Sequence, residues 1–237
     1  MPEPHPALRS NGDLLAADYC DRLRAAVSWT WHVLAQKIAQ GQAHVNREAS
    51  LQLHYAACLQ QVLPLLSFSA GETATIELES AVRIGKQPFS IDVLVTGSLA
   101  GKPRCRIAIE MKCYRVLAAS GGKRGATDIF MKDVYEDLAV LERYCAAGKA
   151  DVGVALVMNE HRGFVYPTAK TAKCWAYDIS HGSRVGPTAL TVPIGGRPVD
   201  ITLEKSYQFN WEALGDFFFM EVEGQAPADT PARARAR

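Results

Sequence analysis

An α/β domain, a mixed β-sheet flanked by α-helices, is the fold this sequence predicts, and three observations predict it. Residues 14–40 and 46–63 carry apolar side chains at helical spacing. Residues 74–112 then change period and form a meander of three strand-like runs separated by glycines. A long helical pattern over 127–147 and a continuous apolar run over 151–158 follow. Helices, a strand meander, then helix and strand give a sheet covered by helices.

The elements follow in order. Pro2, Pro4, Pro6 and Gly12 mark residues 1–13 as a loose lead-in to a single domain over 14–223. In the first helix Leu23, Val27, Leu34 and Ile38 recur at three- and four-residue steps, with Trp31 on the same stripe and Gly41 as a stop. The second helix takes Asn46 as its N-cap and Glu48 in its first turn, where the helix dipole favours an anion. Pro64 ends it. Strands are expected at 74–84, 89–96 and 104–112, the last two turning around Gly97 and Gly101. In the helix at 127–147, Ile129, Val134, Leu138 and Leu141 face inward and Gly148 caps the end. The run at 151–158, DVGVALVM, suits a strand buried on both faces. Beyond it we expect a short helix near 168–174, a strand near 175–179, a hairpin at Gly195-Gly196 and an amphipathic segment near 211–221. The tail 224–237, GQAPADTPARARAR, has the composition of a disordered segment with a basic end.

Composition removes several classes. The 237 residues are 48% hydrophobic and 22% charged, with a formal net charge of +1, so no bulk basic field announces a non-specific nucleic-acid binder. None of the six cysteines forms a C-x-x-C pair, which argues against a zinc ribbon or thioredoxin-like site. The apolar runs near Leu63 and Phe217 are far below the roughly 18 residues that span a bilayer. Residues 1–15 carry no secretory pattern, and a reduced cytoplasmic protein without a membrane partner is the expectation. P-loop, H-E-x-x-H and G-x-S-x-G motifs are absent.

The informative stretch is Ile91 to Lys112. If 89–96 and 104–112 pair so that Ile91 meets Met111, Val93 meets Ile109 and Val95 meets Ile107, one continuous apolar face is buried. The other face then sets Asp92 opposite Glu110, with Lys112 on Glu110's side. Two adjacent carboxylates repel unless a cation joins them. A hard divalent ion, Mg²⁺ or Mn²⁺, suits oxygen ligands, raises the nucleophilicity of water and polarises a phosphoryl oxygen. Lys112 beside it would orient or deprotonate a water, or balance developing charge.

Ile91-Asp92, a strand–turn–strand gap and then Glu110-Met111-Lys112 resemble the signature of the PD-(D/E)XK nuclease superfamily. The likeness covers about residues 46–160, although Ser90-Ile91-Asp92 lacks a proline before the acid. The resemblance implies a restriction-endonuclease-like fold, a central mixed sheet with helices on both sides. It implies that Asp92 and Glu110 bind Mg²⁺ or Mn²⁺ together with the Met111 carbonyl, that Lys112 serves the attacking water, and that Glu48 completes the site. The implied activity is metal-dependent cleavage of DNA by an endonuclease of restriction, phage-defence or repair type. Cutting both strands favours a two-fold homodimer. An activating partner protein also fits.

Each residue has a plainer alternative. Asp92, Glu110 and Lys112 could form cross-strand ion pairs on a solvated sheet face. Glu48 could only complement the helix dipole. Gln52 and Tyr55 share the cleft or edge the core. Lys123 and Arg124, in a Gly-rich loop, and Lys132 on the next helix either hold phosphates or are ordinary surface charges. His161 in its loop reads as solvated rather than catalytic. Phe209, Trp211, Phe217, Phe218 and Phe219 read as core or a dimer face. The alternative for the whole protein is a nuclease-like module that binds nucleic acid or a partner with little or no catalysis.

Overall fold

The computed structural model describes residues 12–117, 122 and 127–226. Expectations for 1–11, for Lys123 and Arg124, and for the tail from 227 lie outside them. Helices α1 (Tyr19–Ala39) and α2 (Glu48–Val62) come first, and a 3-10 turn (Leu63–Leu66) carries Pro64. Strands β1 (Glu72–Ile84), β2 (Gln87–Leu99) and β3 (Lys102–Tyr114) form the meander. Helix α3 (Thr127–Ala146) then crosses over to β4 (Val152–Asn159), which runs parallel to β3. Later come α4 (Arg162–Val165), a 3-10 turn (Lys173–Tyr177) and six short strands: β5 (Arg184–Val185), β6 (Thr188–Leu190), β7 (Ile201–Leu203), β8 (Tyr207–Gln208), β9 (Glu212–Leu214) and β10 (Phe217–Glu223).

Six strands make one mixed sheet in the order β1-β2-β3-β4-β10-β9, antiparallel except for β3 beside β4. The expected α/β architecture, a mixed sheet flanked by helices, is present. On one face Leu23, Val27, Trp31, Leu34 and Ile38 of α1 and Leu51, Tyr55 and Leu59 of α2 bury against Val93, Val95, Ile107, Ile109 and Met111. On the other, α3 packs with Val134, Leu138 and Leu141 against Ala108, Ala155 and Val157, and the C-terminal segment adds Tyr177, Phe209 and Trp211. Among the described residues no helix is long and apolar enough to cross a membrane.

Several boundaries differ from the sequence reading. Asp18 is the N-cap of α1, its carboxylate accepting from the amides of Cys20 and Asp21, so the helix starts later than residue 14. Arg47 rather than Asn46 caps α2, where the Ser50 hydroxyl oxygen accepts from the amides of both. The β2–β3 turn lies at Ala100 and Gly101, with φ of 50° and 76°. Both central residues are left-handed, which matches the twist of a two-residue hairpin. Gly97 instead lies within β2, where a Cβ would meet Leu23 Cδ1 at 2.4 Å, so its bare backbone admits α1.

The expected helix at 168–174 is not formed; α4 lies earlier and a 3-10 turn later. The expected strand at 175–179 is largely that 3-10 turn, because Tyr177 and Ile179 are anchored singly in the core and not paired in a ladder. The hairpin at Gly195-Gly196 is present, with β6 paired to β7 and Ile194 bridged to Arg197. The segment near 211–221 is β9 and β10. Within the expected tail, Gln225 is held in the fold, exchanging backbone hydrogen bonds of 2.9 Å with Ser206.

The site is positioned by a bend in the β1–β2 ribbon. The β2–β3 ladder holds the expected pairs Val93–Ile109 and Val95–Ile107, but it stops there and Ile91 does not meet Met111. Asp92 is skipped in both flanking ladders, and Glu79, the residue across from it in β1, has a left-handed φ of 51°. The ribbon bends there, which resets the alternation. Ile91 packs on the α3 side although Val93 packs on the α1–α2 side. Beyond the bend, Val82, Ile84 and Phe89 lean on the α3-side core, and the Tyr144 hydroxyl donates to the Ser90 carbonyl at 2.9 Å. β2 and β3 therefore fork at Asp92 and Glu110.

Candidate active site

The site grows from the alternation of β3. Met111 and Cys113 point to the α1–α2 side, which leaves Glu110, Lys112 and Tyr114 on the α3 side. Helix α3 runs back along β3 and offers a matching row two turns apart: Tyr144 beside Glu110, Asp137 beside Lys112 and Phe130 beside Tyr114.

Asp92 sits at the fork. Its Oδ2 accepts from the Met111 amide at 2.6 Å. The N–H and C=O of one strand residue point the same way, so the Met111 carbonyl also faces β2. The Met111 side chain is fully buried, which leaves only that carbonyl as a donor to the site. Asp92 and Glu110 are thus not a directly opposed ladder pair, as the register argument expects, but they still share the fork. Lys112 Nζ lies 3.2 Å from Asp137 Oδ2 and 3.6 Å from Glu48 Oε1, so the first residue of α2 does reach the site.

Electrostatics follow from crowding four carboxylates around one ammonium. Glu110 is 7% exposed and its Oε1 has no hydrogen-bond partner. Burial, reinforced by Asp92 and Asp137, pushes its pKa well above the carboxylate range. Burial also raises Asp92, against the opposing pull of the Met111 amide and Lys112. Asp137 is pushed up to about 7, chiefly by burial, with Lys112 pulling the other way. Burial alone would lower Lys112, but Asp137, Glu48 and Asp92 outweigh it and hold the ammonium protonated.

Chemically, the fork gathers hard oxygen donors: Asp92, the unpartnered Glu110 oxygen and the Met111 carbonyl. This is the kind of donor set that Mg²⁺ or Mn²⁺ accepts, and charge neutralisation there would relieve the carboxylate repulsion. Among the described residues no three His, Cys, Asp or Glu side chains already converge as a metal-binding group. Two side chains and one backbone oxygen would not form such a triad.

Other sequence candidates fall elsewhere. Lys132 is bound by Asp133 at 2.7 Å and Glu136 at 2.8 Å on its own helix. It lies about 140° around α3 from Asp137, away from Lys112. Gln52 is buried one turn after Glu48, and Tyr55 is in the core with its hydroxyl donating to the Val27 carbonyl. His161 packs on Phe164 and Tyr114, and its backbone amide donates to Asn159. Phe209, Trp211, Phe218 and Phe219 are buried core.

Sequence reasoning missed Asp137 and Tyr144. The available signal was an acid on an inward row, since Phe130, Asp137 and Tyr144 recur every seven residues along the apolar side of α3. Compared with protein-family models, curated proteins and solved structures, the chain matches none.

Proposed function

We propose that the protein is a metal-dependent nuclease with a restriction-endonuclease-like fold, an endonuclease that hydrolyses phosphodiester bonds in DNA. One observation carries the reading: a buried Glu110 carboxylate with an unpartnered oxygen shares the β2–β3 fork with Asp92, two residues from Lys112, whose Nζ is ion-paired to Asp137. A carboxylate oxygen buried without a partner is costly, and a solvated sheet face of cross-strand ion pairs would not create one. The surrounding order adds support, with Glu48 on the helix before the meander and a long helix and buried parallel strand after it.

Asp92, Glu110 and the Met111 carbonyl would hold Mg²⁺ or Mn²⁺, and Glu48, which reaches Lys112, would complete that shell from its outer edge. The ion would supply Lewis acidity at a phosphoryl oxygen and favour ionisation of water. Lys112 is ion-paired to Asp137 and Glu48 as an ammonium, so its part would be to orient the attacking water by donation and to offset charge growing on the phosphorane-like transition state. Restriction, phage defence and repair are the settings such an activity suits. A two-fold homodimer would cut both strands of a duplex.

The test is cleavage of plasmid and oligonucleotide substrates with Mg²⁺ or Mn²⁺ by the full chain and by Asp92→Ala and Lys112→Ala. Metal-dependent cutting that both substitutions abolish supports the reading. Folded protein that neither binds Mn²⁺ nor cuts DNA or RNA overturns it in favour of a binding module. Mn²⁺ binding without cutting points to a missing partner, activator or substrate.

A further inference from the structure

We infer that Asp137 is the positioning residue for Lys112, which fixes the ammonium in the fork so that it can act on water and phosphate. The inference rests on the nuclease reading. Lys112 carries a four-carbon stem with many rotamers, and its charge is useful only in one place. Asp137 Oδ2 approaches Nζ to 3.2 Å, closer than Glu48 at 3.6 Å. Asp137 is also the better sheltered partner, with a side chain 16% exposed against 42% for Glu48. An ion pair that is shielded from water loses less to screening and holds its geometry better.

The scaffold behind Asp137 is rigid. One two-turn step along α3, Tyr144 is tied to β2 through the Ser90 carbonyl and packs edge-on against Phe89 at 6.1 Å. One step the other way, Phe130 packs on Tyr114 at 5.2 Å and on Phe164 at 5.3 Å. The helix is thus pinned to the fork on both sides of Asp137, and its carboxylate has a fixed station opposite β3. Asp137 touches no reacting group in this scheme; it acts through Lys112.

Two readouts test this. The first is steady-state cleavage by Asp137→Asn and Asp137→Glu. We expect kcat to fall about 10- to 100-fold in Asp137→Asn with KM nearly unchanged, and Asp137→Glu to recover part of it. The second needs no activity. In ¹H–¹⁵N spectra of lysine ammonium groups, the Lys112 signal, assigned by its loss in Lys112→Ala, should be protected from exchange in the native chain. It should vanish in Asp137→Asn while the methyl spectrum stays native. An unchanged kcat, or a Lys112 signal that survives in Asp137→Asn, overturns the inference. Should Asp137→Asn lose its native methyl spectrum, Asp137→Glu decides: a retained Lys112 signal with partial kcat supports the inference, and its loss in a folded protein overturns it. A native chain that neither binds Mn²⁺ nor cuts DNA or RNA overturns the nuclease reading instead, and the ammonium signal still reports whether Asp137 holds Lys112.

Discussion

The carboxylate of Asp92 accepts a hydrogen bond from the backbone amide of Met111 at 2.6 Å, just past the last β2–β3 ladder pair. That single bond bridges the fork. It replaces the missing ladder contact with a side chain and keeps Asp92 beside Glu110. The consequence is a fork closed by a carboxylate, with a second carboxylate buried next to it.

Glu110 should therefore be a stability liability. Its folded-state pKa is raised by burial and by the acids around it. A carboxyl raised on folding carries no penalty below its unfolded pKa and a growing one as pH climbs toward its folded value. Glu110→Gln should melt higher than the native chain near neutral pH, by about 2–4 °C for each kcal/mol relieved, and the gain should vanish in acid. The same variant should lose Mn²⁺ binding in titration calorimetry. Equal melting curves at pH 7 would contradict the placement of Glu110.

Glu212 offers a pH probe remote from the fork. Burial alone lifts it from an ordinary 4.5 to about 7. Stability should fall as pH rises through that window and level off above it. Urea unfolding at several pH values should show a shallower slope in Glu212→Gln than in the native chain. Parallel slopes would place its titration elsewhere.

The C-terminal segment hangs on Glu142 of α3. Its carboxylate accepts from the amides of Glu204 at 2.7 Å and Lys205 at 2.9 Å, and from the Tyr207 hydroxyl at 2.7 Å. Glu142→Ala leaves three donors without an acceptor and should cost about 3 kcal/mol. Tyr207→Phe removes one bond and should cost about 1 kcal/mol. Denaturant midpoints rank the two; a loss in Tyr207→Phe as large as that in Glu142→Ala would assign the anchoring to the Tyr207 hydroxyl alone and contradict the three-donor account.

Gly97 sets how closely α1 approaches the sheet. A Cβ there would stand 2.4 Å from Leu23 Cδ1 and 2.9 Å from Cys105 Sγ. Gly97→Ala should destabilise by about 1–3 kcal/mol through overpacking. The double change Gly97→Ala with Leu23→Ala should lose less than the two single losses added together, since the clash is shared. Strict additivity would deny the contact.

Local pattern made much of this legible. The α1 stripe from Leu23 to Ile38, the three-strand meander, α3 and the buried β4 all follow from periodicity, because burial on one face imposes a period on the chain. The pairs Val93–Ile109 and Val95–Ile107 follow for the same reason. The C-terminal segment was less legible. Its strands are two to seven residues long, too short to show a period, and they are held by single anchors such as Tyr177 and Glu142.

The sequence by itself determined that Asp92, Glu110 and Lys112 fall on adjacent strands, since spacing and alternation leave little choice of face. Only the tertiary structure decided how they meet. The bend at Glu79 and Asp92 moved Ile91 to the opposite face and opened the fork, a backbone event that no side-chain period encodes. The packing of α3 against β3 then brought Asp137 to Lys112 from 25 residues away in sequence (137 − 112). Contacts between distant segments depend on how two elements dock, and docking is fixed by the whole core rather than by the residues that meet.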